Sequence, residues 1–201
     1  MPLKKVSAIF ALILILLIAG SSFAAFAEDC AFVRENSVRL HIVAHSDSEA
    51  DQDLKLALRD AILEAYSARL AGEASGAAAD MARALCSEMA ESARRFIGER
   101  GFDYPVSVSV VEMYFGTTHY EAFTMPAGIY TALRLEIGEA AGKNWWCVMY
   151  PPLCIPAASE GQAAEMGARI EALNGPVVYK PAFAMVEMAE KIRAFFEGET
   201  A

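Results

Sequence analysis

Cations and histidines are scarce in this chain. Its 201 residues hold seventeen lysines and arginines against twenty-six acidic residues, and three histidines. The formal charge is −9. Such a surface repels nucleic acid and anionic lipid head groups, which sets both aside as partners. Beyond Ala27 no apolar run approaches the roughly twenty residues that a membrane span needs, so the remainder is expected to be soluble outside the membrane. No zinc ribbon, P-loop, dinucleotide fingerprint or G-x-S-x-G elbow occurs. No internal repeat or low-complexity linker divides the chain, and its length suits a single domain.

What is present begins with "MPLKKVSAIFALILILLIAGSSFAAFAED". Lys4 and Lys5 precede an apolar run from Val6 to Ala19, and Ala25-Phe26-Ala27 is a small-x-small cleavage site. This is the layout of a secretory signal peptide over residues 1–27. The run is short for a retained anchor, so removal after Ala27 is expected. Residues 28–201 then form one domain that, without Lys4 and Lys5, carries −11 rather than −9. An exported chain can keep disulfides. The four cysteines, Cys30, Cys86, Cys147 and Cys154, permit three pairings, and spacing does not choose among them. Cys147 and Cys154 flank Pro151-Pro152, where a local bridge fits. Cys86 lies in an Ala-rich helical pattern and reads as a small buried residue.

Residues 37–45 alternate in polarity. Val38, Leu40, Ile42 and Ala44 share one side, with Arg39, His41, Val43 and His45 on the other, as in a half-buried strand. "SDSE" starts a helix through Ser48 and Asp51, in loose capping-box spacing. Leu54, Leu58, Ile62 and Tyr66 then recur at helical period, Asp51 and Lys55 can pair on its outer side, and Ala71-Gly72 ends it. A second helix covers 76–98. Val106, Val108 and Val110 alternate with serines before Val111, Met113 and Phe115 take over the apolar phase, which implies a bulge or a strand buried on both faces. Strands follow at 129–137 and in "WWCVMY". A short helix is expected over 161–173, a brief strand over 177–179, and a last helix over 183–196 with Met185, Met188, Ile192 and Phe195 or Phe196 inward. The element order suggests an α+β domain whose sheet is mostly antiparallel, with helices packed on it.

The cluster His41, His45, Asp47, Glu49, Asp51 and Asp53 invites a metal or hydrolase reading. In a strand, four residues span about 13 Å, too far for two ligands of one ion. Adjacent residues such as His45-Ser46-Asp47 rarely form a triad, because nucleophile, base and orienting acid must point at one another. The acidic residues fit helix capping and the helix dipole better. Neither a metal nor a cofactor is expected, and no enzyme. Trp145 and Trp146 must point to opposite faces of their strand; one enters the core and the other becomes a candidate binding anchor.

Two stretches, "RLHIVAHSDSEADQDLKLALRD" (39–60) and "MPAGIYTALRLEIGEAAGKNWWCVMYPPLC" (125–154), resemble the stage II sporulation protein R family of endospore-forming bacteria. The resemblance runs from about Ser37 to Phe196. It implies a signalling protein made in the forespore and exported to the space between forespore and mother cell. Its partner there would be the membrane-embedded aspartic protease, stage II sporulation protein GA, which removes the pro-sequence of the sigma-E precursor. The family usually has asparagine where this chain has His45. Contact residues nominated from the two stretches are Arg39, His41, Asp47, Asp53, Trp145 and Trp146, with Cys147 and Cys154 as a bridge. The contrasting expectation is a secreted hydrolase with an unrecognised active site; no small-molecule substrate is expected on the signalling reading.

Overall fold

A computed structural model describes residues 3–71, 75–120, 123–150, 162–174 and 180–197. The expected strand at 177–179 lies outside them, as does Cys154. A helix of 33 residues, α1 (Leu3–Glu35), opens the chain. Its outer part is exposed and apolar, but Phe26, Cys30 and Val33 are buried. Their i, i+4, i+7 spacing puts them on one face. The Asn36 and Ser37 side chains donate to the carbonyls of Phe32 and Val33, which closes the helix and turns the chain into β1 (Val38–Val43).

Two helices follow, α2 (Glu49–Ala71) and α3 (Ser75–Gly98). Then come β2 (Val106–Phe115), a small ribbon of β3 (Thr118–His119) with β4 (Thr124–Met125), β5 (Gly128–Ile137) and β6 (Asn144–Tyr150). The helices α4 (Gln162–Leu173) and α5 (Lys180–Glu197) complete the fold. The main sheet has the order β2-β5-β1-β6. β5 runs antiparallel to β2, and β6 antiparallel to β1, while β1 and β5 are parallel. The class is α+β, as expected, but the sheet is mixed. The connection from β1 to the parallel β5 runs through α2, α3 and β2, long enough for the crossover that such a pair needs.

Each face of the sheet has its own core. On the first face, Leu40, Ile42, Leu133 and Leu135 meet Leu58 and Met89 of α2 and α3. On the second, Tyr130, Ala132 and Val148 meet Phe26, Cys30 and Val33 of α1, with Ile170 of α4 and Val186 of α5. Each fully buried Leu or Ile contributes about 2 kcal/mol. β1 lies between the two cores and all six of its residues are buried, not half of them. Phe115, Tyr120, Tyr130 and Trp146 close its second side, over Arg39 and His41.

The phase change in β2 has the same origin. The register with β5 runs without a shift from Val106↔Ile137 to Phe115↔Gly128, so there is no bulge. Val106, Val108 and Val110 serve the first core; Val111, Met113 and Phe115 serve the second. The strand exchanges its buried side midway because different helices cover its two ends. In α5 the expected orientation is reversed. Phe183, Val186 and Ala194 are buried, while Met185, Met188, Ile192, Phe195 and Phe196 are exposed. The helix carries two apolar stripes, and the one with Phe183, Val186 and Ala194 faces inward.

Candidate functional site

The two sequence stretches meet along β1. Past its end, residues 44–48 lie against the β5–β6 turn. Gly142 N donates to Ala44 O (3.0 Å), Ala141 N to His45 O (3.2 Å) and Lys143 N to the Asp47 carboxylate (2.7 Å). Lys55 Nζ donates to Lys143 O (2.9 Å). Two glycines make this approach possible. A Cβ on Gly142 would stand 2.2 Å from Ser46 O, and Gly138 has φ +59° with its missing Cβ directed into the His45 ring.

His45 leaves the strand altogether. Its ring stacks on Tyr104 at 4.2 Å, and Nδ1 accepts from Glu139 N at 3.0 Å. An asparagine Oδ1 occupies nearly the same place relative to Cα and is also an acceptor. An asparagine at this position could make the same contact, and the second imidazole nitrogen is not needed for it.

The expected Asp51–Lys55 ion pair does not form. Asp51 is buried and accepts from the Ser46 hydroxyl, while Ser48 caps α2 by accepting from Asp51 N at 3.2 Å. The hydrogen bond from Ser46 is the main cause that holds the Asp51 carboxyl below its ordinary pKa, with Ser48 and Tyr104 adding to it. Lys55 is turned the other way, to Gln52 and Lys143 O, and burial lowers its pKa.

On the second face of the sheet Arg39 is fully buried. Its Nε donates to Cys147 O (3.3 Å) and Nη2 to the Tyr120 hydroxyl (2.9 Å), and the guanidinium lies 4.2 Å from the Phe115 ring centroid. Tyr130 closes another side at 5.1 Å. Nη1 has no partner. Next along β1, His41 stacks on Trp146 at 3.9 Å with rings 6° from parallel, and Nε2 sits 2.8 Å from Asn144 Oδ1. Burial, the largest influence, pushes the His41 pKa down. Its Nδ1 is buried without a partner.

Trp145 lies on the opposite face, half-buried against the first core with Arg59 over its ring at 4.4 Å. The two tryptophans thus occupy two cores, so neither is a free outward ring. Asp53 is exposed on α2. Of the six nominated residues, Arg39, His41 and Trp146 come together; Asp47 braces the β5–β6 turn, while Trp145 and Asp53 lie elsewhere. The sequence reading missed the aromatic box around Arg39, formed by Phe115, Tyr120 and Tyr130. Its signal was the density of aromatics around residues 114–130.

The chemistry of this region is that of contacts held in place. His41 and His45 have separate surroundings, and among the described residues no group of three or more His, Cys, Asp or Glu could hold a metal. His119 is exposed and bonds Thr124 Oγ1 at 3.0 Å. A cleft of about 480 Å³ lies apart, between α3 and β2, beside Cys86, Glu91 and Arg94. Cys86 is half-buried, burial raises its pKa, and no histidine lines the cleft. Cys30 and Cys86 are free thiols, and no two described cysteines form a bridge. Burial pushes the Cys30 thiol up to about 12.

A family model described as Stage II sporulation protein R matches residues 34–160. Stage II sporulation protein R of Bacillus subtilis (strain 168) is similar, with 31% identity over 170 residues, covering 80% of this chain and 76% of that protein. No solved structure matches.

Proposed function

Since the chain belongs to the stage II sporulation protein R family, we propose that it is an intercompartmental signal of endospore formation. Made in the forespore, it is exported to the space between the two membranes. There it binds the membrane-embedded aspartic protease, stage II sporulation protein GA, and switches on processing of the sigma-E precursor. It acts by binding and performs no chemistry of its own. Family membership carries this reading. The apolar N-terminal helix, compatible with a signal peptide or an anchor, supports export. The exposed stripe Met185, Met188, Ile192 and Phe195 on α5 supports binding, because contiguous apolar surface of this kind commonly marks an interface.

The nominated residues take different parts in this proposal. Arg39, His41 and Trp146 shape the surface from beneath, and Asp53 can touch a partner directly. A Cys147–Cys154 bridge would tie the end of β6 to the segment after it.

The test is processing of the sigma-E precursor in sporulating cells that lack the chain, with and without complementation. Processing is expected to fail and to return with the wild-type gene. Met188→Asp with Ile192→Asp, on the exposed side of α5, should leave the level of exported protein unchanged and reduce processing. Normal processing in the deletion strain refutes the signalling role.

A further inference from the structure

We propose that two copies of the chain associate through the free edge of the sheet, β2 against β2, and so make one continuous sheet with four strands from each copy. The inference concerns the state in which the chain acts and does not depend on which other protein is its partner.

β2 ends the sheet: β5 lies on one side of it and no strand on the other. Among the described residues, no loop or side chain takes the outward-pointing amides and carbonyls of Val106–Val110. Such an edge is a template for a further strand, and proteins that keep one free protect it with proline, lysine or a bulge. Residues 106–115 contain neither proline nor lysine, and the register with β5 has no bulge.

The sequence of the edge says which strand fits. Val106-Ser107-Val108-Ser109-Val110 reads the same from either end. An antiparallel pair around a two-fold axis through Val108 therefore meets itself like for like. Val108 opposes the partner's Val108, Val106 opposes the partner's Val110, and Ser107 opposes the partner's Ser109. Opposed residues share a face, so valines meet valines on the first face and serines meet serines on the second. No charge faces a like charge. Pro105, without an N–H, closes the ladder at each end, which leaves a segment of ordinary strand length. A self-complementary patch is what a two-fold interface requires. β6, the other edge, has no such symmetry, since "NWWCVMY" reads differently from its two ends.

The surroundings of the edge agree with this pairing. Ser107 and Ser109 are exposed, and Val108 and Val110 are half-buried, so both faces keep surface to cover. On the first face the cleft of about 480 Å³ runs along the same strand, between Ala90, Glu91 and Arg94 of α3 and Val106 and Val108 of β2. The two-fold sets the α3 helices of the two copies antiparallel on one face and joins their clefts. Glu91 and Arg94 carry opposite charges three residues apart, and neither has an ion pair among the described residues. Across the axis this pair is complementary to itself, Glu91 toward the partner's Arg94 and the reverse.

The test takes the chain in the form that producing cells yield and sizes it by light scattering after gel filtration at tens of micromolar. Twice the chain mass is expected. Ser107→Lys with Ser109→Lys sets lysine against lysine at both serine pairs. The positions are exposed, so the fold should survive, as circular dichroism checks, and the mass should halve. Ser107→Glu with Ser109→Glu should do the same, and mixing the two variants should restore the doubled mass. In a Cys86→Ala background, which removes the half-buried thiol beside the edge, Ser107→Cys mixed with Ser109→Cys should oxidise to a linked dimer several-fold faster than either variant alone. A single-chain mass for the wild type, a doubled mass that survives the lysine pair, or cross-linking that ignores the register overturns the proposal. A doubled mass lost only in Met188→Asp with Ile192→Asp moves the contact to α5 and also overturns it. A monomeric wild type whose lysine variant fails in sigma-E processing assigns the edge to a strand of another protein, against a second copy.

Discussion

Replacing Arg39 by methionine measures how the second core holds a buried cation. The guanidinium is fully buried and, among the described residues, has no carboxylate within ion-pair distance. Taking such an ion out of water costs several kcal/mol. Two hydrogen bonds from a charged donor return about 3–4 kcal/mol together. The face of Phe115 adds about 1–2 kcal/mol at a desolvated site. The unpartnered Nη1 works against these by about 1–3 kcal/mol. The polar terms nearly cancel, so the net contribution of Arg39 is the packing of its apolar stem, which methionine largely reproduces. Arg39→Met should therefore shift the unfolding free energy by no more than about 1.5 kcal/mol in either direction. Arg39→Ala should cost about 3 kcal/mol, because it leaves a cavity. Urea unfolding followed by tryptophan fluorescence reads both. A loss of 3 kcal/mol or more for the methionine variant, equal to that for alanine, refutes the cancellation. If the methionine variant is stable but fails in sigma-E processing, the charge is required for signalling and not for the fold.

The acid limb of stability should depend on Asp51. Its folded pKa is depressed, so its contribution is present above the ordinary carboxyl pKa, near 4, and is lost as pH falls through the folded value. Asp51→Asn should flatten the fall in stability below about pH 4; an unchanged acid limb in thermal unfolding contradicts the assignment. Trp145→Ala and Trp146→Ala should each destabilise by about 2–3 kcal/mol, since both rings are half-buried. Only Trp146→Ala should let the His41 pKa rise toward its ordinary value, as seen by NMR titration, because it alone uncovers that ring. His45→Asn should keep both stability and processing; a loss of more than about 1 kcal/mol shows that the Tyr104 stack matters more than the bond to Glu139 N. Non-reducing peptide mapping should find Cys147 linked to Cys154, in a loop short enough that the bridge adds roughly 2–3 kcal/mol; free thiols at both positions end that proposal.

Local patterns read well from the sequence where one surrounding decides them. Leu54, Leu58, Ile62 and Tyr66 recur at helical period and are all buried on α2, because a single sheet face receives them. β1 misled because alternation reports polarity, whereas Arg39 is buried by Phe115, Tyr120 and Tyr130 and His41 by Trp146, all from distant parts of the chain. α5 misled because it has two apolar stripes, and period alone does not say which of them meets a partner within the chain. The i,i+4 spacing of Asp51 and Lys55 allowed an ion pair, but Ser46 and Lys143 O, brought up by the loops, offered each a closer fit. The tryptophan pair by itself implies one core; two cores exist, and only the covering helices reveal the second.

β1 forms early in the chain and finds its neighbours late. Val38 lies beside Thr131 on one side and Tyr150 on the other. If the chain is exported as proposed, it cannot assemble its central strand until nearly all of the matched region has emerged. Until then six residues destined for burial on both faces remain without partners, and non-local pairing of this kind is slow. A partly translocated chain presents no finished sheet, and neither the aromatic box around Arg39 nor the clamp at Gly142 can exist. On the proposed export, this topology would couple the appearance of the folded surface to completion of transport, and a receptor that recognised this surface would be answering a finished delivery.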